Sequence, residues 1–223
     1  MTWNVQHARR PDGVVDIDVF AAACASFGAD VLALQEVDRR TARVGGADLL
    51  AAAEEATGLV AIDGAVSDFD GGTYGNALLL RAAPTASTVS GLPRPWWPPW
   101  HRPERRGLVV VELDGLTVAA CHLGTRRREA RRQLRAALTL VPATGPAVLI
   151  GDFNLRPEAV VPIAAAAGFH AAAVPAAFPA HAPEAAIDHV LVRGIHVVAG
   201  PSAERPAVSD HRPVVVDLSF FVA

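Results

Sequence analysis

Residues 108–123 read LVVVELDGLTVAACHL, two apolar runs joined by a short polar link. The link is Asp114-Gly115, and Asp-Gly between two apolar runs is typical of a β-hairpin with a type I′ turn. Apolar residues fill most positions of both runs, as in strands that pack against a core. The middle of the chain is therefore predicted to be an antiparallel hairpin.

Strands and helices are predicted on both sides of this hairpin. Apolar runs indicate strands at 31–34, 59–66, 77–80, 147–150, 187–192, 195–198 and 214–218. Apolar residues at helical spacing indicate helices at 14–28, 47–57 and 126–141. Proline density predicts a loop over 93–106. No linker-like change of composition divides the chain, so residues 1–223 are expected to form a single α+β domain with helices outside largely antiparallel sheets.

Composition excludes several classes of protein. The chain has 20 basic and 23 acidic residues, a net charge of −3, and 51% hydrophobic residues. This balance excludes intrinsic disorder and does not support a general affinity for polyanions. The two cysteines, Cys24 and Cys121, cannot form a disulfide framework. No signal-peptide pattern or transmembrane segment is found, so we expect a cytoplasmic protein.

Polar residues recur where the apolar runs end. They are Asn4, Glu36, His122, Asp152, Asn154, Asp188, Asp210 and His211. Carboxylate and amide oxygens suit Mg²⁺ or Mn²⁺, and the sequence has no paired cysteine spacing or His-Glu-x-x-His motif for zinc. It also has no Gly-x-Ser-x-Gly motif and, because it contains no lysine, no P-loop. Among these kinds of catalytic site, the one that the sequence still supports is metal-assisted hydrolysis with Asp and His as proton-transfer groups.

Seven short motifs occur along the chain in the same order as in a known protein family. They are Thr2-Trp3-Asn4-Val5, Leu34-Gln35-Glu36-Val37-Asp38, Gly75-Asn76-Ala77, Cys121-His122-Leu123-Gly124, Gly151-Asp152-Phe153-Asn154, Ile187-Asp188-His189-Val190 and Ser209-Asp210-His211-Arg212-Pro213. Together they resemble the endonuclease/exonuclease/phosphatase superfamily of metal-dependent, deoxyribonuclease-I-like hydrolases. The resemblance implies a four-layer α/β sandwich, in which two packed, mainly antiparallel sheets are flanked by helices and the site lies at one end.

The resemblance also implies a metal site and a Mg²⁺ cofactor, with Mn²⁺ as an alternative. Glu36 would be the principal ligand, with Asn4 and Asp210 close by. Gln6 departs from the pattern, because some nuclease relatives carry an aspartate there near the metal. This difference affects the expected metal affinity or number of metal ions.

Five catalytic residues are implied in the same way. Asp152 would orient or deprotonate the attacking water, and Asn154 would help to hold the phosphate. His211, polarised by Asp188, would donate a hydrogen bond to the phosphate or stabilise its charge. His122 would be a second histidine facing the phosphate.

The predicted phosphate-binding set comprises Asn4, Asn154, Arg106 and Arg126, of which the resemblance implies Asn154 and Arg106. Arg106 matches a position at which relatives hold phosphate, and Arg126 stands at the start of the third predicted helix, just after His122. The arginines farther along this helix form either a solvated face or a polyanion-binding patch. Trp96, Trp97 and Trp100 either stack on a substrate or cover an end of the core.

Two functions from different classes follow. The first is Mg²⁺-dependent hydrolysis of a phosphate ester, with a nucleic acid, a lipid headgroup or a small molecule as the substrate. The alternative is a catalytically silent phosphate- or nucleic-acid-binding module on the same fold.

Overall fold

The computed structural model describes residues 1–94, 104–202 and 205–220 of the chain. The helices are α1 (Ile17–Ser26), α2 (Leu49–Thr57), α3 (Arg127–Leu140) and α4 (Pro157–Ala166). The strands are β1 (Thr2–Asn4), β2 (Val31–Arg39), β3 (Val60–Phe69), β4 (Gly72–Leu80), β5 (Ala86–Gly91), β6 (Gly107–Leu113), β7 (Leu116–His122), β8 (Ala147–Asp152), β9 (His170–Ala171), β10 (Asp188–Arg193), β11 (His196–Ser202) and β12 (Val215–Ser219).

The strands form two large sheets and one small one. The first sheet has the order β1-β2-β4-β3, and the second has the order β5-β6-β7-β8-β10-β9. β11 and β12 pair with each other as an antiparallel ribbon. One pair in each large sheet is parallel, β1 with β2 and β7 with β8, and the other pairs are antiparallel. The predicted mainly antiparallel sheets are confirmed.

Three apolar clusters stack these elements into four layers. Leu78, Val109 and Val118 belong to the cluster between the two large sheets. On the outer face of the first sheet, α1 and α2 contribute Phe20 and Leu49 to a second cluster. The third cluster joins α3 and α4 to the outer face of the second sheet. The order helix, sheet, sheet, helix is the predicted four-layer α/β sandwich.

The predicted hairpin is present as β6 and β7, with Leu113 paired to Leu116 across Asp114-Gly115. Gly115 adopts a φ of 71°, but Asp114 is not among the residues with positive φ. A type I′ turn requires positive φ at both central residues. The predicted turn type was therefore wrong, because only the glycine enters the left-handed region.

Several elements differ from the sequence-based expectation. β2 does not end at Glu36 but continues to Arg39, with an irregular register between Leu34 and Val37. α4 and β5 were not predicted. In the predicted 93–106 loop, residues 95–103 and their tryptophans lie outside the described residues. None of the helices in the described ranges has the length and apolar character that crossing a bilayer requires.

Candidate functional site

The second sheet aligns three of the predicted site residues in one row. β7 and β8 are parallel, with His122 paired to Asp152. β8 and β10 are antiparallel, with Asp188 paired to Asp152. Side chains at paired positions lie on the same side of a sheet, so the three are neighbours at one end of the sandwich. All three are buried.

The first sheet contributes Asn4 and Glu36 to the same end. The amide nitrogen of Asn4 donates to Glu36 Oε1 at 3.0 Å and to Asp152 Oδ2 at 3.1 Å. Its amide oxygen accepts from the backbone N–H of Gln6 at 3.1 Å. Asn4 therefore bridges a carboxylate of the first sheet to one of the second.

A β-bulge determines how Glu36 reaches this site. β2 has one more residue than β4 between the pairs Leu34–Ala77 and Val37–Gly75. Glu36 adopts a φ of 59° at this irregularity. Positive φ is uncommon for a residue with a side chain, and bulges near active sites often redirect a side chain. The bulge keeps Glu36 half-buried at the site while the strand continues beyond it.

His211 lies between two carboxylates. Its Nδ1 donates to Asp188 Oδ2 at 3.0 Å, and its Nε2 lies 3.7 Å from Asp152 Oδ2. Ser209 fixes the backbone here, because its hydroxyl donates to the Asn4 carbonyl at 2.6 Å and accepts from the His211 N–H at 3.0 Å. Sequence reasoning did not select Ser209 for this role, although it begins the Ser-Asp-His-Arg-Pro motif.

His122 is held from the side by an arginine. Arg106 Nη1 donates to His122 Nδ1 at 2.7 Å, and the guanidinium also pairs with Glu104 at 2.9 Å. Because arginine only donates, the ring proton of neutral His122 must be on Nε2. That nitrogen lies 3.4 Å from Asp152 Oδ2. The structure thus gives Arg106 a contact with His122, and sequence reasoning missed Glu104 behind it.

Asn154 packs beside His122 in a left-handed backbone conformation, with a φ of 51°. Its amide nitrogen donates to the Leu123 carbonyl at 2.9 Å and lies 3.2 Å from His122 Nε2. Its backbone N–H donates to Asp152 Oδ1 at 2.9 Å. Asparagine tolerates this conformation better than most residues, so the local turn orients Asp152.

The environment separates the pKa values of the three central groups. Burial raises the pKa of Asp152, the charge of Asp188 adds to this, and the result is about 7. Burial alone would lower the pKa of His211, but Asp188 and the neighbouring carboxylates raise it to about 9. Burial and the charge of Arg106 hold the pKa of His122 well below its usual range. Near neutral pH, His211 is therefore charged and His122 is neutral.

The remaining predicted residues lie at the margin of this cluster. Asp210 is half-buried next to His211, and its backbone carbonyl accepts from the Ala180 N–H at 2.6 Å. Arg126 is exposed and precedes the first residue of α3. The contacts described above join the other predicted residues into one connected network.

The donor set fits a hard divalent cation. One ligand atom from each of Asp152, Asp188 and His211 lies within 4.8 Å of the other two. Asp188 Oδ1 is buried without a hydrogen-bond partner among the described residues. An unpartnered buried carboxylate oxygen is costly, and Mg²⁺ or Mn²⁺ prefers such oxygen ligands. The nearby Glu36 supplies a further carboxylate.

Comparison with known protein families gave a match over residues 1–211, to the model described as "Endonuclease/Exonuclease/phosphatase family". The chain belongs to this family. The resemblance identified from the sequence motifs is thereby confirmed. Enzymes of the family are metal-dependent phosphoric ester hydrolases, and this family member is a phosphoric ester hydrolase, as predicted.

Solved structures share the fold over almost the whole chain. An endonuclease/exonuclease/phosphatase from Beutenbergia cavernae is 26% identical, with a TM-score of 0.79 over 98% of this chain and 70% of that one. TDP2 of D. rerio, complexed with a single-strand DNA product, is 18% identical, with a TM-score of 0.70 over 98% of this chain and 97% of that one. The human Nocturnin catalytic domain with bound sulfate is 18% identical, with a TM-score of 0.71 over 98% of this chain and 92% of that one. A comparison with curated proteins gave no match.

Proposed function

We propose that this family member is a Mg²⁺-dependent phosphodiesterase or phosphatase that uses water as the nucleophile. One observation carries the proposal. A single oxygen, Asp152 Oδ2, has Asn4 Nδ2 at 3.1 Å, His122 Nε2 at 3.4 Å and His211 Nε2 at 3.7 Å. Hydrolysis of a phosphate ester needs a proton acceptor beside groups that offset negative charge, and this arrangement supplies both.

Asp152 orients the attacking water and accepts its proton. A general base works best when its pKa is close to the working pH, and burial brings the pKa of Asp152 to about 7. The backbone N–H of Asn154 and the amide of Asn4 hold its two oxygens. The base is therefore fixed before the substrate binds.

His211 carries the positive charge of the site. Asp188 fixes the tautomer through Nδ1 and helps to raise the pKa of His211 to about 9, so Nε2–H is available as a donor. An imidazolium donor stabilises charge on a phosphate oxygen or protonates the leaving group. Asp188 acts as the positioning residue for this histidine.

His122 has a different role from His211, because its Nδ1 accepts a hydrogen bond from Arg106. A neutral imidazole in this tautomer donates through Nε2–H to a phosphate oxygen and gives up no proton. Asn154 adds an amide beside it, and Arg126 lies close in sequence at the start of α3. Together they form the phosphate-binding side of the site.

Glu36, with Asn4 and Asp210 nearby, would hold Mg²⁺, and the unpartnered oxygen of Asp188 offers another position. When bound, the cation offsets negative charge on the phosphate and lowers the pKa of water. Mn²⁺ satisfies the same donor set.

A nucleic acid, a lipid headgroup or a phosphorylated small molecule all contain the required ester. The structural neighbour TDP2 was solved with a single-strand DNA product, which favours nucleic acid among them. Cys24 and Cys121 are free and buried, as in a protein of a reducing compartment, which supports the cytoplasm. We also propose that residues 1–223 act as a single domain.

Turnover of bis(4-nitrophenyl) phosphate, with Mg²⁺ or with chelator, tests the proposal. We expect chelator-sensitive turnover that falls at least about 10²-fold in Asp152→Ala and in His211→Ala. The double variant Asp114→Ala/His181→Ala changes exposed residues of the same two types and serves as the matched control. Wild-type turnover no faster than that of Asp152→Ala/His211→Ala would favour the catalytically silent module.

A panel of natural substrates then separates the classes of ester. Plasmid DNA, an abasic oligonucleotide, RNA, sphingomyelin and inositol phosphates are each incubated with Mg²⁺ and with chelator. The affinity of the enzyme for a nucleic-acid substrate should fall steeply as the salt concentration rises. Binding releases counterions from the nucleic acid, and added salt opposes that release. Phosphate release that is insensitive to salt would favour a small molecule instead.

A further inference from the structure

The outward side of α3 carries a group of exposed arginines, called here the α3 arginine face. They are Arg127, Arg128, Arg131, Arg132 and Arg135. At about 100° per residue, these positions fall within an arc of about 140° around the helix axis. The side of α3 that faces the second sheet buries Ala130, Leu134 and Ala137 in the apolar cluster. The α3 arginine face therefore lies on the flank of the sandwich and not at its catalytic end.

The positive charges of this face are not neutralised within the described part of the chain. No carboxylate there lies within ion-pair distance of any of the five guanidinium groups. By contrast, the exposed Arg10, Arg40 and Arg81 each pair with an aspartate. The α3 arginine face is thus a concentrated positive surface on a chain whose net charge is −3.

Two glutamates lie near the face without pairing with it. Glu129, on the same helix, accepts a hydrogen bond from Gln133 at 3.1 Å. Glu158 of α4 lines the groove between α3 and α4 together with Arg131 and Arg135, but forms no ion pair with either. These carboxylates reduce the local charge and leave the guanidinium groups available as donors.

The arrangement of the arginines is unfavourable for the helix itself. Like charges four residues apart destabilise a helix, and this face contains the pairs Arg127–Arg131, Arg128–Arg132 and Arg131–Arg135. Arg127 and Arg128 also lie in the first turn, at the positive end of the helix dipole. A face that served only solubility would not need this clustering. Departures from local helix preference are expected where a surface has a function.

The spacing of the charges fits a polymer of phosphates. From Arg127 to Arg135 the helix rises about 12 Å, at about 1.5 Å per residue. One strand of a nucleic acid duplex carries a charge every 3.4 Å or so along its axis, so this length faces about three or four phosphates. Guanidinium groups bind phosphate oxygens through two parallel hydrogen bonds.

An anionic membrane surface fits the same helix less well. Helices that bind membranes from the side insert an apolar face between the headgroups. The apolar face of α3 is already buried against the second sheet, with Leu134 fully enclosed. The arginine face contains no aromatic or large apolar residue that could insert instead.

We propose that the α3 arginine face binds the phosphate backbone of a nucleic acid, independently of base sequence. Arg131, Arg132 and Arg135 form the part of this surface farthest along α3 from His122. The surface is separate from the proposed hydrolytic site and does not depend on hydrolysis. Its role is to hold the nucleic acid on the flank of the protein.

Fluorescence anisotropy of a labelled DNA single strand of about 20 nucleotides tests the proposal, with the full chain in excess chelator to suppress hydrolysis. The variant Arg131→Gln/Arg132→Gln/Arg135→Gln, called the α3 triple, should lower the affinity at least about tenfold at about 0.1 M salt. The slope of log K against log salt should become shallower by about 2, because each lost phosphate contact removes about 0.7 for a single strand.

The matched control is Arg10→Gln/Arg40→Gln/Arg81→Gln. It changes the net charge by the same amount at exposed positions outside α3 and should keep the wild-type affinity and slope. The α3 triple should melt no lower than the wild type, because like-charge pairs are removed. Equal losses of affinity in the two triple variants, or no binding by the wild type at about 0.05 M salt, would overturn the proposal.

Two further measurements identify the partner and separate this surface from hydrolysis. Binding to vesicles of phosphatidylserine and phosphatidylcholine without binding to DNA would overturn the assignment to nucleic acid. Turnover of bis(4-nitrophenyl) phosphate should be the same in the α3 triple as in the wild type. DNA binding that the α3 triple loses supports the surface even if no ester is hydrolysed. Turnover without DNA binding would reject the surface and leave the proposed function intact.

Discussion

Replacing Asp188 with Asn should shift the whole pH–rate profile of this hydrolase toward acid. The proposed mechanism requires Asp152 as the carboxylate, above its pKa of about 7, and His211 as the cation, below its pKa of about 9. The charge of Asp188 raises both values, because it repels the Asp152 carboxylate and attracts the His211 imidazolium. Removing that charge while keeping the shape of the side chain lowers both.

The size of the effect follows from the pKa of His211. The rise from 6.5 to about 9 corresponds to about 3 kcal/mol of net attraction between the charged ring and its surroundings. Asp188 makes the largest favourable contribution, so the variant should lose at least about 1.4 kcal/mol, or one pKa unit. If the pKa falls to about 7, the protonated fraction at about pH 8 drops roughly tenfold.

The assay is kcat/KM for bis(4-nitrophenyl) phosphate from about pH 5 to about pH 10 at one fixed Mg²⁺ concentration. Both limbs of the bell-shaped profile should move to lower pH in Asp188→Asn. Asp114→Asn, the same change on the exposed hairpin turn, should keep the wild-type profile. A profile that falls in height while both limbs stay in place would refute the electrostatic role of Asp188.

Three further substitutions test individual contacts of the site. Arg106→Gln should raise the pKa of His122, because a nearby positive charge is lost, and should lower kcat/KM about tenfold; NMR titration of the ring measures the first effect. Gly151→Ala should destabilise the fold by about 3 kcal/mol or more, because the added Cβ would lie 1.8 Å from a backbone carbonyl oxygen of β7; thermal unfolding measures this. Ser209→Ala should cost about 1–3 kcal/mol, because the buried His211 N–H loses its acceptor; denaturant unfolding measures it.

Controls for these substitutions use open or exposed positions. Gly91→Ala adds a methyl group where no atom lies within 4 Å and should leave the melting temperature unchanged. Arg132→Gln should leave the titration of His122 unaltered. A Gly151→Ala protein as stable as Gly91→Ala, a His122 pKa that does not rise in Arg106→Gln, or a Ser209→Ala protein of wild-type stability would each contradict the corresponding contact.

The sequence predicted the elements whose pattern is governed by burial. β6 and β7 are continuous apolar runs that are buried on both faces, and α3 places its apolar residues on one buried face, so these patterns are visible without the fold. β5 is mostly exposed and carries Ser87, Thr88 and Ser90, so it has no such pattern. α4 was missed because Pro162 lies inside it and alanine is common there. In that helix, tertiary packing outweighs weak local signals.

The site was predictable as a set of residues but not as a set of contacts. Asn4, His122 and Asp152 each belong to a motif at the end of a strand, and the sheets bring those ends together. The pairing of His122 with Arg106 joins β7 to the residue just before β6, which depends on hairpin register. A contact of this kind leaves no periodic pattern in the sequence from which it could be predicted.

The bulge at Glu36 implies that the proposed metal ligand is an insertion in an otherwise ordinary sheet. Leu32 and Leu34 before it and Val37 after it pack in the same cluster, although even spacing would place Val37 on the opposite face. Deleting residue 36 would leave β2 and β4 matched one to one, with every apolar side chain still on its own face. One codon thus separates the proposed metal site from a more regular sheet, and removing that codon would keep the packing of β2 in its cluster.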